Sequence, residues 1–361
     1  MLFALLLAAA TSGLRLNLVR SPRATVVLGP RLKVSFLKEQ LAAAGVSTAG
    51  IVEKEELLRL YEALEVTEQA PLSVPLVELQ GGAYAELNTG KGGALRLLVD
   101  SGASVSILGY ASSQRVLPGA VPGSRAPIPC PGLPGLRLEC TVGSPQQYFP
   151  AGVDGVLGID CLRSFSAVEL DWARRELKLH AVWSEADGGA GRVSIPMTMR
   201  AVSAGVLPFV EASFVGDSAS VCTIKGLVDT GSPVTMVTPE LCTAAAMAPS
   251  ASTDDIMTTG VDGSPARMVA SSCATVLLGG GADGAAGLAH RDAVCFAGMC
   301  PMMAMVGWQG TAAGLIGLDL LRRTDGEGGT WAAGAGPTST PGLPCAGRLI
   351  LDFERGRLIV T

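Results

Sequence analysis

Two stretches of the chain repeat one hydrophobic pattern. Apolar residues run up to an aspartate at Leu98-Val99-Asp100 and again at Leu227-Val228-Asp229, and each aspartate is followed by a hydroxyl residue and a glycine, Ser101-Gly102 and Thr230-Gly231. Such runs predict buried β-strands, and the glycine lets the chain turn where a Cβ would clash. Apolar character then returns, Val105-Ser106-Ile107-Leu108 and Val234-Thr235-Met236-Val237. Farther on, Gly155-Val156-Leu157-Gly158-Ile159-Asp160-Cys161-Leu162 is matched by Gly314-Leu315-Ile316-Gly317-Leu318-Asp319-Leu320-Leu321. The inner glycines predict a second buried strand packed closely against the aspartate turn. Each half closes on a strand-like segment, Val168 to Arg174 and Leu349 to Arg355, and each has a comparable strand upstream, Tyr84-Ala85-Glu86-Leu87 and Phe209-Val210-Glu211-Ala212. Motifs paired in the same order imply a duplicated unit with the size of a small domain, too long for a solenoid repeat.

The duplicated pattern resembles the aspartic proteases, in particular the retropepsin-like branch, over about residues 74–361. The resemblance implies a mostly β, bilobal fold of two retropepsin-like β-barrel units in one chain, as in pepsin-like enzymes. It implies an aspartic endopeptidase whose catalytic pair is Asp100 with Asp229, supported in their turns by Ser101, Gly102, Thr230 and Gly231. Two carboxylates held together cannot both ionise, so one keeps a proton while the other activates a water. No cofactor or metal is needed, and the two histidines, His180 and His290, lack ligand-spaced neighbours. The family's flap is matched by the stretch around Thr259, Gly260, Asp262 and Gly263, with the strand-like Ala274 to Leu278 behind it. The first half offers only a Pro/Gly-rich stretch, Leu117 to Gly135, and hence a single flap over an asymmetric, pepsin-like cleft. The alternative is a catalytically inactive protease-fold protein that acts as a peptide-binding or interaction module. Asp160, Asp319, Asp171 and Asp352 are expected in capping or turn roles, and Glu86 and Glu211 on strand surfaces.

A different period governs the start of the chain. Phe36, Leu37 and Leu41, then Leu57, Leu58, Leu60, Tyr61 and Leu64, fall at helical spacing around a loop bounded by Gly45 and Gly50. This predicts a short α-helical hairpin, which resembles a SAP-like helix–loop–helix. Acids outnumber bases between Lys38 and Glu65, which argues against phosphate contact and favours a protein partner at 33–65. The expected organisation is a targeting segment (1–32), the hairpin (33–65), a linker (66–75), an N-terminal lobe (76–182) and a C-terminal lobe (191–361).

Composition narrows this further. Apolar content of 48 % suffices for a core, and 46 glycines suit a β-rich chain with many turns, with glycine-rich insertions at 279–287 and 325–347. A net charge of −5 gives no electrostatic footprint for nucleic acid, and the partner that the resemblance implies is a peptide or protein substrate. Nine cysteines include no Cys-x-x-Cys pair, so structural zinc is not expected, whereas Cys295 and Cys300 could bridge a loop in an oxidising compartment. The apolar run from Met1 to Ala10 reads as a signal-like segment too short to span a membrane. Arg15, Arg20, Arg23, Arg31 and Lys33 all precede the first acid, Glu39, which is transit-like. Secretory entry is expected, with a plastid reached through a bipartite signal as the second option.

Overall fold

The computed structural model describes residues 71–361 apart from 129, 132–137, 146, 148, 184–191, 204, 252, 260–264, 280–286 and 323–346, together with isolated positions between 34 and 60. Residues 1–65 and 66–361 form separate compact units. In the first, Val34, Lys38, Leu41, Glu55 to Leu57 and Leu60 are helical, and Leu41 and Leu57 are buried. The second unit is mostly β and contains the duplication.

Its first half runs β1 (Leu72–Leu79), β2 (Gly82–Asn88), β3 (Ala94–Val99), β4 (Ile107–Leu108), α1 (Tyr110–Val116), β5 (Arg125–Ile128), β6 (Leu138–Val142), β7 (Gly155–Leu157), α2 (Ile159–Leu162), β8 (Ala167–Asp171) and β9 (Glu176–His180). Its second runs β10 (Val193–Val202), β11 (Gly205–Val215), β12 (Val221–Val228), β13 (Met236–Val237), α3 (Pro239–Ala245), β14 (Ala248–Pro249), β15 (Ile256–Thr259), β16 (Pro265–Leu278), β17 (Leu288–Ala297), α4 (Pro301–Met305), β18 (Gly314–Ile316), α5 (Leu318–Leu321), β19 (Arg348–Asp352) and β20 (Arg357–Val360).

Alternation explains the strands before the aspartates. In β3, Leu95, Leu97 and Val99 point into the core while Arg96 points out. Arg96 pairs across the ladder with Glu86 at 2.9 Å, and Lys225 pairs with Glu211 at 3.0 Å in the matching place of the other lobe. Glu86 and Glu211 are therefore surface strand residues, as their positions predict.

Each lobe threads the same way. β3 runs parallel to β7 and β12 parallel to β18, while β4 and β13 pair antiparallel with the same β7 and β18 from the other side. In the second lobe β16 also pairs with β11, so the sheet closes on itself. The shorter β5–β6 hairpin of the first lobe makes no such described pairing, and that lobe is the more open of the two.

The lobes share one antiparallel sheet in the order β1-β9-β8-β19-β20-β10. Its central pair, β8 with β19, comes one strand from each lobe, in a symmetric register with Arg348 opposite Asp171 and Asp352 opposite Ala167. Asp171 and Asp352 end these strands, accepting the backbone N–H of Arg174 and Arg355 at 2.9 Å each. They are turn residues. Among the described residues no helix is long and apolar enough to cross a membrane.

Candidate active site

β3 and β12 deliver Asp100 and Asp229 to the middle of the second unit, and the two turns that follow interlock. The Ser101 hydroxyl donates to the Val228 carbonyl at 2.7 Å and accepts the Thr230 N–H at 3.1 Å. The Thr230 hydroxyl donates to the Val99 carbonyl at 2.7 Å and accepts the Ser101 N–H at 3.0 Å. Four reciprocal bonds between residues more than a hundred positions apart thus tie the lobes at one point, and both hydroxyls are fully buried.

The glycines explain how the turns come so close. A Cβ on Gly102 would stand 2.7 Å from the Asp229 carboxyl carbon, and one on Gly231 would stand 2.3 Å from that of Asp100. Each glycine is the space in which the opposite carboxylate sits. The two carboxyl groups hydrogen-bond to each other. Asp100 also accepts the backbone N–H groups of Gly102 (2.8 Å) and Ala103 (2.9 Å), while Asp229 accepts that of Gly231 (2.9 Å). Neither receives a hydroxyl from the third residue onward: that residue is Ala103 in one lobe, and in the other Ser232 donates to the Val234 carbonyl instead.

Burial raises both acids above the usual carboxylate range, and the pair divides unequally. Asp229, 4 % exposed, is raised well above it by burial and then by the charge of Asp100. Asp100 is partly open; burial raises it too, against the lowering effect of bonds from Asp229, Ala103 and Gly102. The pair therefore holds one proton and one negative charge between its two carboxyl groups.

The sequence-matched Gly-Φ-Asp turns sit behind this pair. The strands end at Leu157 and Ile316, earlier than the apolar pattern predicts, and Ile159–Leu162 and Leu318–Leu321 turn into single-turn helices. Cys161 therefore lies in a helix. The close approach expected of the glycines holds: a Cβ on Gly158 would lie 2.6 Å from the Val105 carbonyl carbon, and one on Gly317 2.3 Å from the Val234 oxygen. Asp160 and Asp319 do not face the pair. Each accepts the N–H of its own helix, from Cys161 or Leu320, and each accepts both the N–H and the hydroxyl of Ser106 or Thr235. Ser106 and Thr235 are site residues that the motif comparison passes over. Their signal is a hydroxyl six positions after each aspartate in both halves.

β15 and β16 form the hairpin expected as the flap, with Thr259 opposite Pro265 at the end of the ladder. Gly260, Asp262 and Gly263 lie outside the described residues. Its base is tied by Arg267, which donates to Asp255 at 2.7 and 3.0 Å. By register the β5–β6 hairpin of the first lobe corresponds to β16–β17, since β6 and β17 pair parallel with β4 and β13. Nothing described in that lobe corresponds to β15. Cys295 and Cys300 are both free and buried, so the bridge considered for them is not formed.

No protein-family model and no curated protein sequence matches the chain. Among solved structures, it is similar to an aspartic proteinase from Irpex lacteus, 15 % identical over 81 % of this chain and 97 % of that one, with a TM-score of 0.41. It is also similar to Basic 7S globulin from soybean, 9 % identical over 81 % and 94 % of the two chains, with a TM-score of 0.42.

Proposed function

We propose that this chain is an aspartic endopeptidase and that Asp100 and Asp229 are its catalytic pair. The observation that supports this reading is the interlocked pair of turns that holds two carboxyl groups, one buried and one partly open, against each other. In the proposed reaction Asp100 takes a proton from a water whose oxygen attacks the scissile carbonyl carbon, while Asp229 gives its proton to the carbonyl oxygen. The tetrahedral intermediate then collapses, returning that proton to Asp229 while Asp100 passes its own to the leaving nitrogen and the C–N bond breaks. An extended peptide would lie beneath the β15–β16 hairpin, held by main-chain hydrogen bonds.

Cleavage of a peptide library by the wild type, Asp100→Asn and Asp229→Asn tests the reading. Each variant should lose at least about a thousand-fold in kcat/KM, since the members of a catalytic unit fail together. The pH profile has a definite sign. Activity falls at low pH as Asp100 takes up a proton and at high pH as Asp229 loses its own, and both limbs lie above the ordinary carboxylate value. Full activity in either variant excludes the shared pair.

A further inference from the structure

The two braces behind the aspartates use matching partners but differ at the carboxylate. In the N-terminal lobe the Asp100 N–H donates to the Leu157 carbonyl (3.0 Å), the Gly158 N–H to the Ser106 hydroxyl (2.9 Å), and that hydroxyl to Asp160 (2.7 Å). In the C-terminal lobe the Asp229 N–H donates to the Ile316 carbonyl (3.0 Å), the Gly317 N–H to the Thr235 hydroxyl (3.1 Å), and that hydroxyl to Asp319 (2.7 Å). The bonds that Asp160 accepts from Ser106 and Cys161 all fall on one oxygen and leave the other to a cation, whereas the N–H and the hydroxyl of Thr235 take different oxygens of Asp319. Arg125 donates to the outer oxygen of Asp160 at 2.9 Å. Register places Ala270 at the matching position of the other lobe: Arg125 faces Thr141 beside Ile107, and Ala270 faces Phe296 beside Met236.

No other described group replaces the cation. Cys295 of β17 faces Asp319 with a thiol held protonated by burial and by that carboxylate. His290, also on β17, bonds the Leu320 backbone and is pushed by burial towards its neutral form. Arg322, just beyond α5, is engaged by Glu78 at 2.8 Å and stacks on Trp172.

We propose that Asp319 is a positioning residue for Asp229, and that through it the C-terminal lobe carries a proton-sensitive brace which Arg125 removes from the N-terminal lobe. This rests on the proposed function only in taking Asp229 as a working carboxylate; the linkage to protons needs no peptidase activity. A carboxylate largely withdrawn from water and without a cation disfavours its own charge. Burial accordingly pushes Asp319 up to about 6, against the lowering effect of its bonds from Thr235 and Leu320. The folded chain keeps this proton to about pH 6, while the unfolded chain releases it near 3.8. Stability from this group is therefore full at low pH and is lost as pH rises between those values, by roughly a hundred-fold in the folding constant.

Urea unfolding at about pH 4 and pH 7 tests this, in a chain whose pair is removed by Asp100→Asn and Asp229→Asn so that the pair itself does not titrate and the other groups cancel between variants. Adding Asp319→Asn should shrink the pH-dependent fall in the folding constant by roughly a hundred-fold. Adding Arg125→Ala instead should deepen it, by removing the cation from the outer oxygen of Asp160. Should Asp319→Asn fail to fold, the Arg125→Ala arm decides alone. An unchanged pH dependence in either folded variant overturns the linkage. In the active chain, Asp319→Asn should lower kcat by roughly ten- to a hundred-fold with little change in KM, and reshape the pH profile of kcat near 6. A profile that overlays the wild type overturns the positioning role even if the linkage holds, whereas inactivity of the wild type would fail the proposed function and leave the unfolding result standing.

Discussion

Ser101 and Thr230 tie the two lobes through reciprocal bonds. Each hydroxyl bonds once as donor and once as acceptor across the lobe boundary, so replacing one by alanine orphans a carbonyl and an N–H in a dry interior. Ser101→Ala or Thr230→Ala should each cost about 2–4 kcal/mol, one to three per orphaned group after relaxation, read by urea unfolding. Thr230→Ser keeps both bonds and should recover most of the loss. Equal losses in the alanine and serine variants would mean that the methyl group of Thr230, not its hydroxyl, matters. Because the two turns form one lock, the double alanine variant should cost less than the sum of the single ones.

At the scale of elements, the glycine that follows β7 or β18 is more constrained than its motif suggests. The chain crosses behind the aspartate turn so closely that a methyl group would overlap backbone and not a movable side chain. Gly317→Ala and Gly158→Ala should each destabilise by at least about 2–3 kcal/mol, measured by denaturant midpoint. Gly317→Ala should be the worse, because its Cβ would stand 2.3 Å from its nearest backbone atom, against 2.6 Å for Gly158. What the sequence discloses here is uneven, for physical reasons. The aspartate turns and the Gly-Φ-Asp turns are legible because close packing admits few residues, so both halves keep the same ones. The start of each unit is also written twice, as Ser73-Val74-Pro75-Leu76 and Ser194-Ile195-Pro196-Met197, on the two edge strands of the shared sheet. Proline there removes an N–H that would otherwise invite another strand. Arg125 is not legible, because its contact with Asp160 joins residues 35 positions apart and its counterpart in the other lobe is an alanine. The helical end of the Gly-Φ-Asp motif is hidden as well, since four residues of which three are apolar read equally as strand or buried helix.

At the scale of the whole molecule, the shared sheet carries a charge network that opposes the pH response of the braces. Glu169 on β8, 2 % exposed, accepts from Lys178 at 3.1 Å, lies 3.2 Å from the His180 ring nitrogen, and pairs at 3.4 Å with Arg348 of the other lobe. The symmetric position on β19 is Ile350, so this tie exists once, not twice. Trp183 covers the same face, buried against Ile350 and Ile359, with the His180 ring edge-on at 4.6 Å. Burial alone would raise Glu169, but the bonds from His180 and Lys178 outweigh it and hold the group below 4.5. Its contribution is therefore complete above that value and is lost as pH falls through the lower folded one, the reverse of Asp319. Glu169→Gln keeps the shape and removes the charge, leaving Lys178 and Arg348 facing an amide. The loss should be about 2–3 kcal/mol at pH 7, less than for a fully buried pair because both cations keep some solvent. Unfolding measured from pH 7 downward should show that difference shrinking below about pH 4.5, as the wild-type carboxylate itself becomes neutral. A difference that stays constant over this range would assign the role of Glu169 to packing. A shrinking one would mean that acid weakens the junction of the lobes while relieving the charge buried at Asp319, which sets the most stable pH between the two.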